Sequence, residues 1–235
     1  MRQIIFDTET TGFEPHKGHR LVEIGAVEMV NGALTGKKFH VYINPERDMP
    51  KEAYAVHKLS SEFLADKPVF SDPSIAQAFL DFAGDGVLVA HNAPFDCGFM
   101  KHHLEEIGLP WRWTEADQVI DTVKIARKRF PGSPASLDAL CSRFGIDLSQ
   151  RESQGHGALL DARLLAEVYV ELTGGAQSGF SFGRRGSGEN GSDDENRPTP
   201  VRDGPRPVLL TEEEKAAHTA FLSDGVSEPI WAKLS

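Results

Sequence analysis

Residues 2–12 read Arg-Gln-Ile-Ile-Phe-Asp-Thr-Glu-Thr-Thr-Gly. An apolar run of this length, closed by Asp7 and by the turn-forming Thr10-Thr11-Gly12, reads as a buried strand over Arg2–Phe6. Asp7 and Glu9 end that strand at i and i+2, so both side chains project to one face. Two like charges side by side repel unless a cation sits between them. The alternative is a solvated strand end whose Asp caps the turn, and from this stretch alone both readings stand.

Working outward, Leu21–Val30 reads as a second strand and Lys38–Ile43 as a third, with Asn31-Gly32 supplying a hairpin turn between them. A helical pattern follows around 74–83, then an apolar strand at Gly86–Ala90 and a helix from Pro94 to Ile107. A short strand near Val119-Ile120 precedes helices near 122–129, 136–143 and 157–172. Three early strands followed by strand–helix alternation predict an α/β fold, a mixed sheet with helices on its faces.

The 235 residues carry 25 Lys+Arg against 35 Asp+Glu, a formal net charge of −10. With 40% hydrophobic and 26% charged residues, collagen-like, fully disordered and disulfide-scaffold classes are excluded. Cys97 and Cys141 lack the spacing of a zinc site and read as two reduced core thiols. No apolar run approaches the ~18 residues of a membrane span. The first charged residues arrive too soon for a signal peptide, so a cytoplasmic protein is expected.

Composition changes after Thr173. Residues 174–206 hold 8 Gly, 4 Ser and 3 Pro among 33, with too little apolar surface to offset the entropy of ordering, and read as a flexible linker. Beyond Pro207, Thr211-Glu212-Glu213-Glu214 is a capping-box start, followed by Ala217, Ala220 and Phe221 at helical spacing. The expected organisation is a folded unit over 1–173, the linker 174–206, and a short helical tail, 207–235, too small to fold alone. Most of the acidity, a net −7, belongs to 1–173.

Further acids stand where acids are costly. Asp161 shares a helical stripe with Ala158, Leu164, Leu165, Val168 and Leu172. A buried Asp is paired or binds metal, so a cation or a basic residue beneath the helix is implied. Asp96 follows the strand at 87–90, and Pro94 suits a first helical turn. It either complements the helix dipole or, if that strand neighbours the first, faces Asp7 and Glu9. His156, between Gly155 and Gly157, would lie about 140° from Asp161 on one continuous helix, so it is expected in a loop ahead of that helix. Beside an acidic cluster it is a candidate general base. Four carboxylates suit Mg²⁺ or Mn²⁺ rather than zinc, and the matching reaction is two-metal phosphodiester hydrolysis.

The stretches FDTETTG (6–12), HNAPFDCGFM (91–100) and HGALLDARLLAEVY (156–169) resemble, in order, the three exonuclease motifs of the DEDD superfamily in its histidine-bearing branch. EIGAVEMVNGALTGKKFHVYINP, EAYAVHKLSSEFLADKP and PGSPASLDALCSRFGID resemble more closely the proofreading, or epsilon, subunits of bacterial DNA polymerase III, and the likeness covers essentially all of 1–173. The resemblance implies a ribonuclease-H-like mixed five-stranded sheet flanked by helices. It also implies a metal-dependent 3′–5′ exonuclease that removes mismatched terminal deoxynucleotides during replication. Asp7, Glu9, Asp96 and Asp161 match that family's ligands for two divalent ions, and His156 its general base. Glu52 and His57, with Asp7, Glu9 and Asp161, fall where it contacts the substrate's terminal nucleotide. Lys58 stands where many relatives have Gly. Phe95 and His91 are candidate pocket residues, Phe95 equally a core residue.

Gln177-Ser178-Gly179-Phe180-Ser181-Phe182 resembles the Gln-led peptide by which such proteins touch the sliding clamp, with Gln177, Phe180 and Phe182 as contacts. The tail resembles the segment that tethers them to the polymerase (alpha) subunit, with Phe221, Leu222 and Trp231 as anchors. A rival reading is a free-standing RNA-directed exonuclease of the same superfamily, which has little use for linker and tail. A net −10 argues at first against nucleic acid, but bound metals reverse the local sign. Without a basic face beyond Lys124, Arg127, Lys128 and Arg129, the expected DNA affinity is weak and delivery depends on the tethered polymerase.

Overall fold

The computed structural model describes residues 1–174 and 211–225, without the side chains of 152–154 and 222–225. These two parts fall in separate units of the chain. The first is built on a five-stranded sheet of order β3-β2-β1-β4-β5, with β1 Arg2–Thr10, β2 Leu21–Val30, β3 Ala33–Tyr42, β4 Val87–Ala90 and β5 Val119–Asp121. β1, β2 and β3 pair antiparallel, whereas β4 and β5 join parallel to β1 and to each other. The mixed α/β sheet read from the sequence is the one observed.

The helices are α1 Lys51–His57, α2 Ser61–Leu64, α3 Ala76–Ala83, α4 Ala93–Glu106, α5 Thr122–Arg129, α6 Leu137–Phe144, α7 Ser149–Gln154 and α8 Ala158–Thr173. They bury the sheet on both sides, which is why Ile4, Ile5 and Phe6 form an unbroken apolar run. Ile4 and Phe6 join Phe79, Leu80, Phe99, Met100 and Leu104 of α3 and α4. Ile5 points the other way, to Leu137 and Leu140 of α6 and Leu164, Leu165 and Val168 of α8. Gln3, on the Ile5 face, donates to the Tyr169 hydroxyl of α8 at 2.7 Å.

Several boundaries differ from the sequence reading. β1 runs on to Thr10, so Asp7 and Glu9 stand within the strand, because pairing with β2 continues past the apolar run to Glu9↔Glu23. β3 starts at Ala33 rather than Lys38, and its first six residues are exposed. It is an edge strand, where pairing with one neighbour supports polar sequence that carries no apolar signal. The short helices α1, α2 and α7 escape periodicity because four to seven residues hold at most two turns. The hairpin turn at Asn31-Gly32 is as expected, both residues having positive φ, 52° and 83°.

α8 lies tight against β2 through one residue. A Cβ on Gly25 would overlap the backbone of Ala158 and Leu159. Gly25 is the register partner of Asp7, so this close approach brings the start of α8 over the acidic end of β1.

In the second unit, α9 spans Glu212–Gly225. Its capping box is formed: Glu214 N–H donates to Thr211 Oγ1 at 3.2 Å and Thr211 N–H to Glu214 Oε2 at 2.8 Å. Phe221 is exposed. Gln177, Phe180, Phe182 and Trp231, and the linker from 175 on, lie outside the described residues, as does the Leu222 side chain. Among the described residues no helix is long and apolar enough to cross a membrane.

Candidate active site

The carboxyl ends of the parallel strands β1, β4 and β5 form one edge of the sheet, the usual place for ligands in such folds. Asp7 and Glu9 project there from β1, on the face that α8 covers. From the opposite layer α4 brings Asp96, whose Oδ1 accepts the Thr8 N–H at 3.0 Å and the Thr8 hydroxyl at 2.7 Å. α8 adds Asp161 in its first turn. Asp96 and Asp161 are buried, at 2% and 3% exposure. His156 sits between α7 and α8 as expected, with its side chain 40% exposed.

Ligand atoms of Glu9, His156 and Asp161 lie within 4.8 Å of one another. Asp7 and Glu9 feel the charges of the neighbouring acids. Burial first, then Asp96, Glu9 and Asp161, push the Asp7 carboxyl well above the usual range, and only Arg151 pulls it back. Glu9 is raised by burial, then by Glu23, Asp161 and Asp96. Burial lifts Asp96 to about 7 against the opposing hydrogen bonds from Thr8. Buried carboxylates that repel one another in this way call for an external cation. Two carboxylate oxygens and one imidazole nitrogen, grouped in this way, are donors of the kinds that hold a divalent metal ion.

The basic residue that the sequence left open as a partner for Asp161 is there. Arg151 of α7 donates from Nη2 to Asp161 Oδ2 at 2.8 Å and meets His156 Nδ1 at 2.8 Å. Its Nε stands 2.8 Å from Asp161 Oδ1, an ion-pair contact in which neither atom completes a hydrogen bond. Nη1 pairs with Asp138 of α6.

A cavity of about 340 Å³ opens beside the acids, lined by Glu9, Gly12, Glu52, His57 and Phe95 among others. Of the five residues expected to touch a terminal nucleotide, Glu9, Glu52 and His57 line it. His91, the other candidate, is turned away to Thr122 Oγ1 at 2.8 Å. His57 is buried; Leu59 N–H donates to its Nδ1 at 3.1 Å, so its proton is on Nε2, which has no hydrogen-bond partner. Lys58, capping α1, has a left-handed backbone, φ 61°, the conformation in which glycine is favoured.

Beyond His57 and His156 lies a second cavity of about 400 Å³, with Glu23, His40 and Arg163 in its wall. Glu23 is a further acid beside the four, buried, directly opposite Glu9 and 2.7 Å from His40 Nε2. The sequence reading missed Arg151, Glu23 and Gly25. Glu23 could have been found from the β1–β2 register; nothing around Arg151 marks it.

The RNase_T exonuclease family matches over residues 4–169. The chain belongs to that exonuclease family. It is 51% identical over 228 residues to DNA polymerase III subunit epsilon of Rickettsia felis, covering 95% of this chain and 96% of the relative. With the Escherichia coli K12 protein of the same name it shares 45% over 229 residues, covering 94% and 92%. Among solved structures, exonuclease X in complex with 5′ overhanging duplex DNA superposes with a TM-score of 0.54 at 26% identity, covering 73% of this chain and 90% of that one. The nuclease domain of 3′hExo, a DEDDh family member bound to rAMP, gives a TM-score of 0.59 at 18% identity, covering 73% and 91%, and supports the fold alone. Within the exonuclease family the four acids and His156 fall inside the matched span.

Proposed function

We propose that this chain is the proofreading 3′–5′ exonuclease subunit of a replicative DNA polymerase, a metal-dependent hydrolase that removes mispaired 3′-terminal deoxynucleotides as 5′-monophosphates. The observation that carries this reading is the meeting of Glu9, Asp161 and His156 ligand atoms within 4.8 Å, beside a cavity that Glu52 and His57 line.

Asp7, Glu9, Asp96 and Asp161 would hold two divalent ions, Mg²⁺ or Mn²⁺. When bound, such ions supply Lewis acidity at the phosphodiester and offset charge on the departing oxygen. The chain's own groups do the rest. His156, on a glycine-flanked segment, takes a proton from the attacking water as its oxygen bonds to phosphorus and the P–O3′ bond breaks. Glu52 and the His57 Nε2–H bind the terminal nucleotide, next to Phe95. The four acids give the cleft a sign that repels phosphate until cations reverse it. Preference for mispaired ends follows from fraying, because an unpaired terminus costs less to thread into a single-strand pocket.

The catalytic unit is 1–173. The tail 207–235 tethers it to the polymerase (alpha) subunit, and Gln177, Phe180 and Phe182 engage the sliding clamp through the linker, which raises effective concentration without fixing geometry. The names of the relatives support a polymerase partner, and a cytoplasmic location accords with it.

The test offers the full chain a primer–template with matched or mismatched 3′ end and an RNA oligomer, with Mg²⁺ or with chelator. Mismatched DNA is expected to release 5′-mononucleotides fastest, and only with metal. Faster RNA cleavage, or activity in chelator, overturns the reading. Deleting 207–235 is expected to leave activity on free single strands and abolish copurification with the polymerase subunit; persistent copurification places the contact elsewhere.

A further inference from the structure

Arg151 lowers the Asp7 and Glu9 carboxyls against the burial and the neighbouring acids that raise them. Its side chain is only 10% exposed, on a helix of six residues whose sequence shows no apolar face that would bury it. What buries it is a set of three polar contacts: Asp138, His156 and Asp161. Both oxygens of Asp161 are engaged, Oδ2 by Nη2 and Oδ1 by Nε, each at 2.8 Å.

Accepting the metal role of Asp161 proposed above, we infer that Arg151 is a positioning residue that competes with the divalent ion for Asp161, so that the ion loads only as the guanidinium lets go. The conflict is one of space and of sign. A Mg²⁺-sized ion requires carboxylate oxygens at about 2.0–2.1 Å along their lone pairs. The Nη2 hydrogen bond at 2.8 Å fills that direction at Oδ2, Nε lies 2.8 Å from Oδ1, and two cations this close repel.

The same contact also sets His156. Guanidinium has donors and no acceptor, so the lone pair of His156 Nδ1 receives a hydrogen bond from Arg151 and is not open to water. Release of Asp161 by Arg151 and release of His156 are one movement, because one nitrogen, Nη2, serves both. Asp138, on Nη1, gives the displaced guanidinium a partner to keep. Ion loading and readiness of the base are thereby coupled through a single side chain.

The measurement is Mn²⁺ binding to the full chain, read by titration calorimetry or by the resonance of free Mn²⁺, with melting in chelator alongside. Arg151→Gln is expected to tighten Mn²⁺ binding on the order of tenfold, within the usual range for coupling between two ligands of one site, while lowering the melting temperature in chelator. A purely structural arginine predicts the lower melting temperature with unchanged or weaker Mn²⁺ binding, and either result overturns the inference. Arg151→Lys serves if glutamine prevents folding: a point charge without the planar fork reaches fewer partners. It is expected to bind Mn²⁺ more tightly than wild type by a smaller factor, and affinity equal to wild type overturns the inference. A wild-type protein that binds no Mn²⁺, or Asp161→Asn binding as tightly as wild type, removes the metal site itself and with it the ground for any competition.

Discussion

The acidic floor of the cleft and the histidine-bearing wall beside it differ in what holds them. Asp7 and Glu9 stand on a strand paired with β2 along its whole length and with β4 over Gln3–Ile5, and Asp96 is fixed by two hydrogen bonds from Thr8. His156 follows a six-residue helix, has glycine on both sides, and takes its bearings from Arg151 and from a 3.4 Å backbone contact with Val56. The floor is rigid and electrostatically strained; the wall is held by contacts that one side chain can give up. The contrast suits a reaction in which the metal ligands must be in place beforehand while the base has to engage and withdraw.

Five experiments bear on that contrast, the largest effect first. Replacing floor acids, as in Asp7→Ala with Glu9→Ala, is expected to bring exonuclease activity below detection and to abolish the rise in melting temperature on adding Mg²⁺. His156→Ala should lose about 10²–10⁴-fold in activity but keep the Mg²⁺-induced rise. If both variants behave alike in melting, floor and wall do not have separate roles.

Gly25→Ala breaks the joint between them. The added Cβ meets the backbone of Ala158 and Leu159, so α8 must move with its Asp161, at a cost of about 3 kcal/mol, read from urea unfolding. Unchanged stability would mean that the helix has another seat.

The strain in the floor has a pH signature. Asp7 and Glu9 are raised well above the ordinary carboxylate range, and Asp96 to about 7. Groups raised on folding contribute stability fully below their unfolded value, near 4, and lose it as pH rises through the folded value. The chelated protein should therefore melt lower at about pH 8 than at about pH 6, and the gain from Mg²⁺ should grow over the same interval. A melting temperature in chelator that rises with pH contradicts the assignment.

The smallest effect is in the wall's support. Lys58, left-handed at φ 61° and beside Gly155, gains from glycine about 1 kcal/mol of relieved backbone strain, part of which the looser unfolded chain returns. Lys58→Gly should raise the urea midpoint slightly and leave Mg²⁺-dependent activity within about twofold, an effect below the ~1.4 kcal/mol that a factor of ten represents.

The same division governs how much of the molecule can be read from its sequence. Ile4, Ile5 and Phe6 announce a strand buried on both faces, and an Asp in the apolar stripe of α8 announces a buried charge; both are periodic signals within one element. The floor is legible because it is built on such elements. Glu23 and Gly25 acquire their meaning only from the register that sets them opposite Glu9 and Asp7. Arg151 acquires its meaning from a helix too short to have a period, and from partners on α6 and α8. The extent of β3 was missed for the opposite reason: an exposed edge strand needs no pattern of its own.

The packing of α8 on β2 at Gly25 also has a consequence in time. Asp7 is made near the beginning of the folded unit and Asp161 about 150 residues later, and contacts so distant along the chain are slow to form. At about 5–20 residues per second of synthesis, a nascent chain carries its first acids for about 8 to 30 seconds before the helix that completes the set exists. During that interval no emerging fragment holds the full constellation. On the site proposed above, a ribosome-bound chain has no complete set of acids until α8 has docked, which puts the onset of cleavage after the sheet is built.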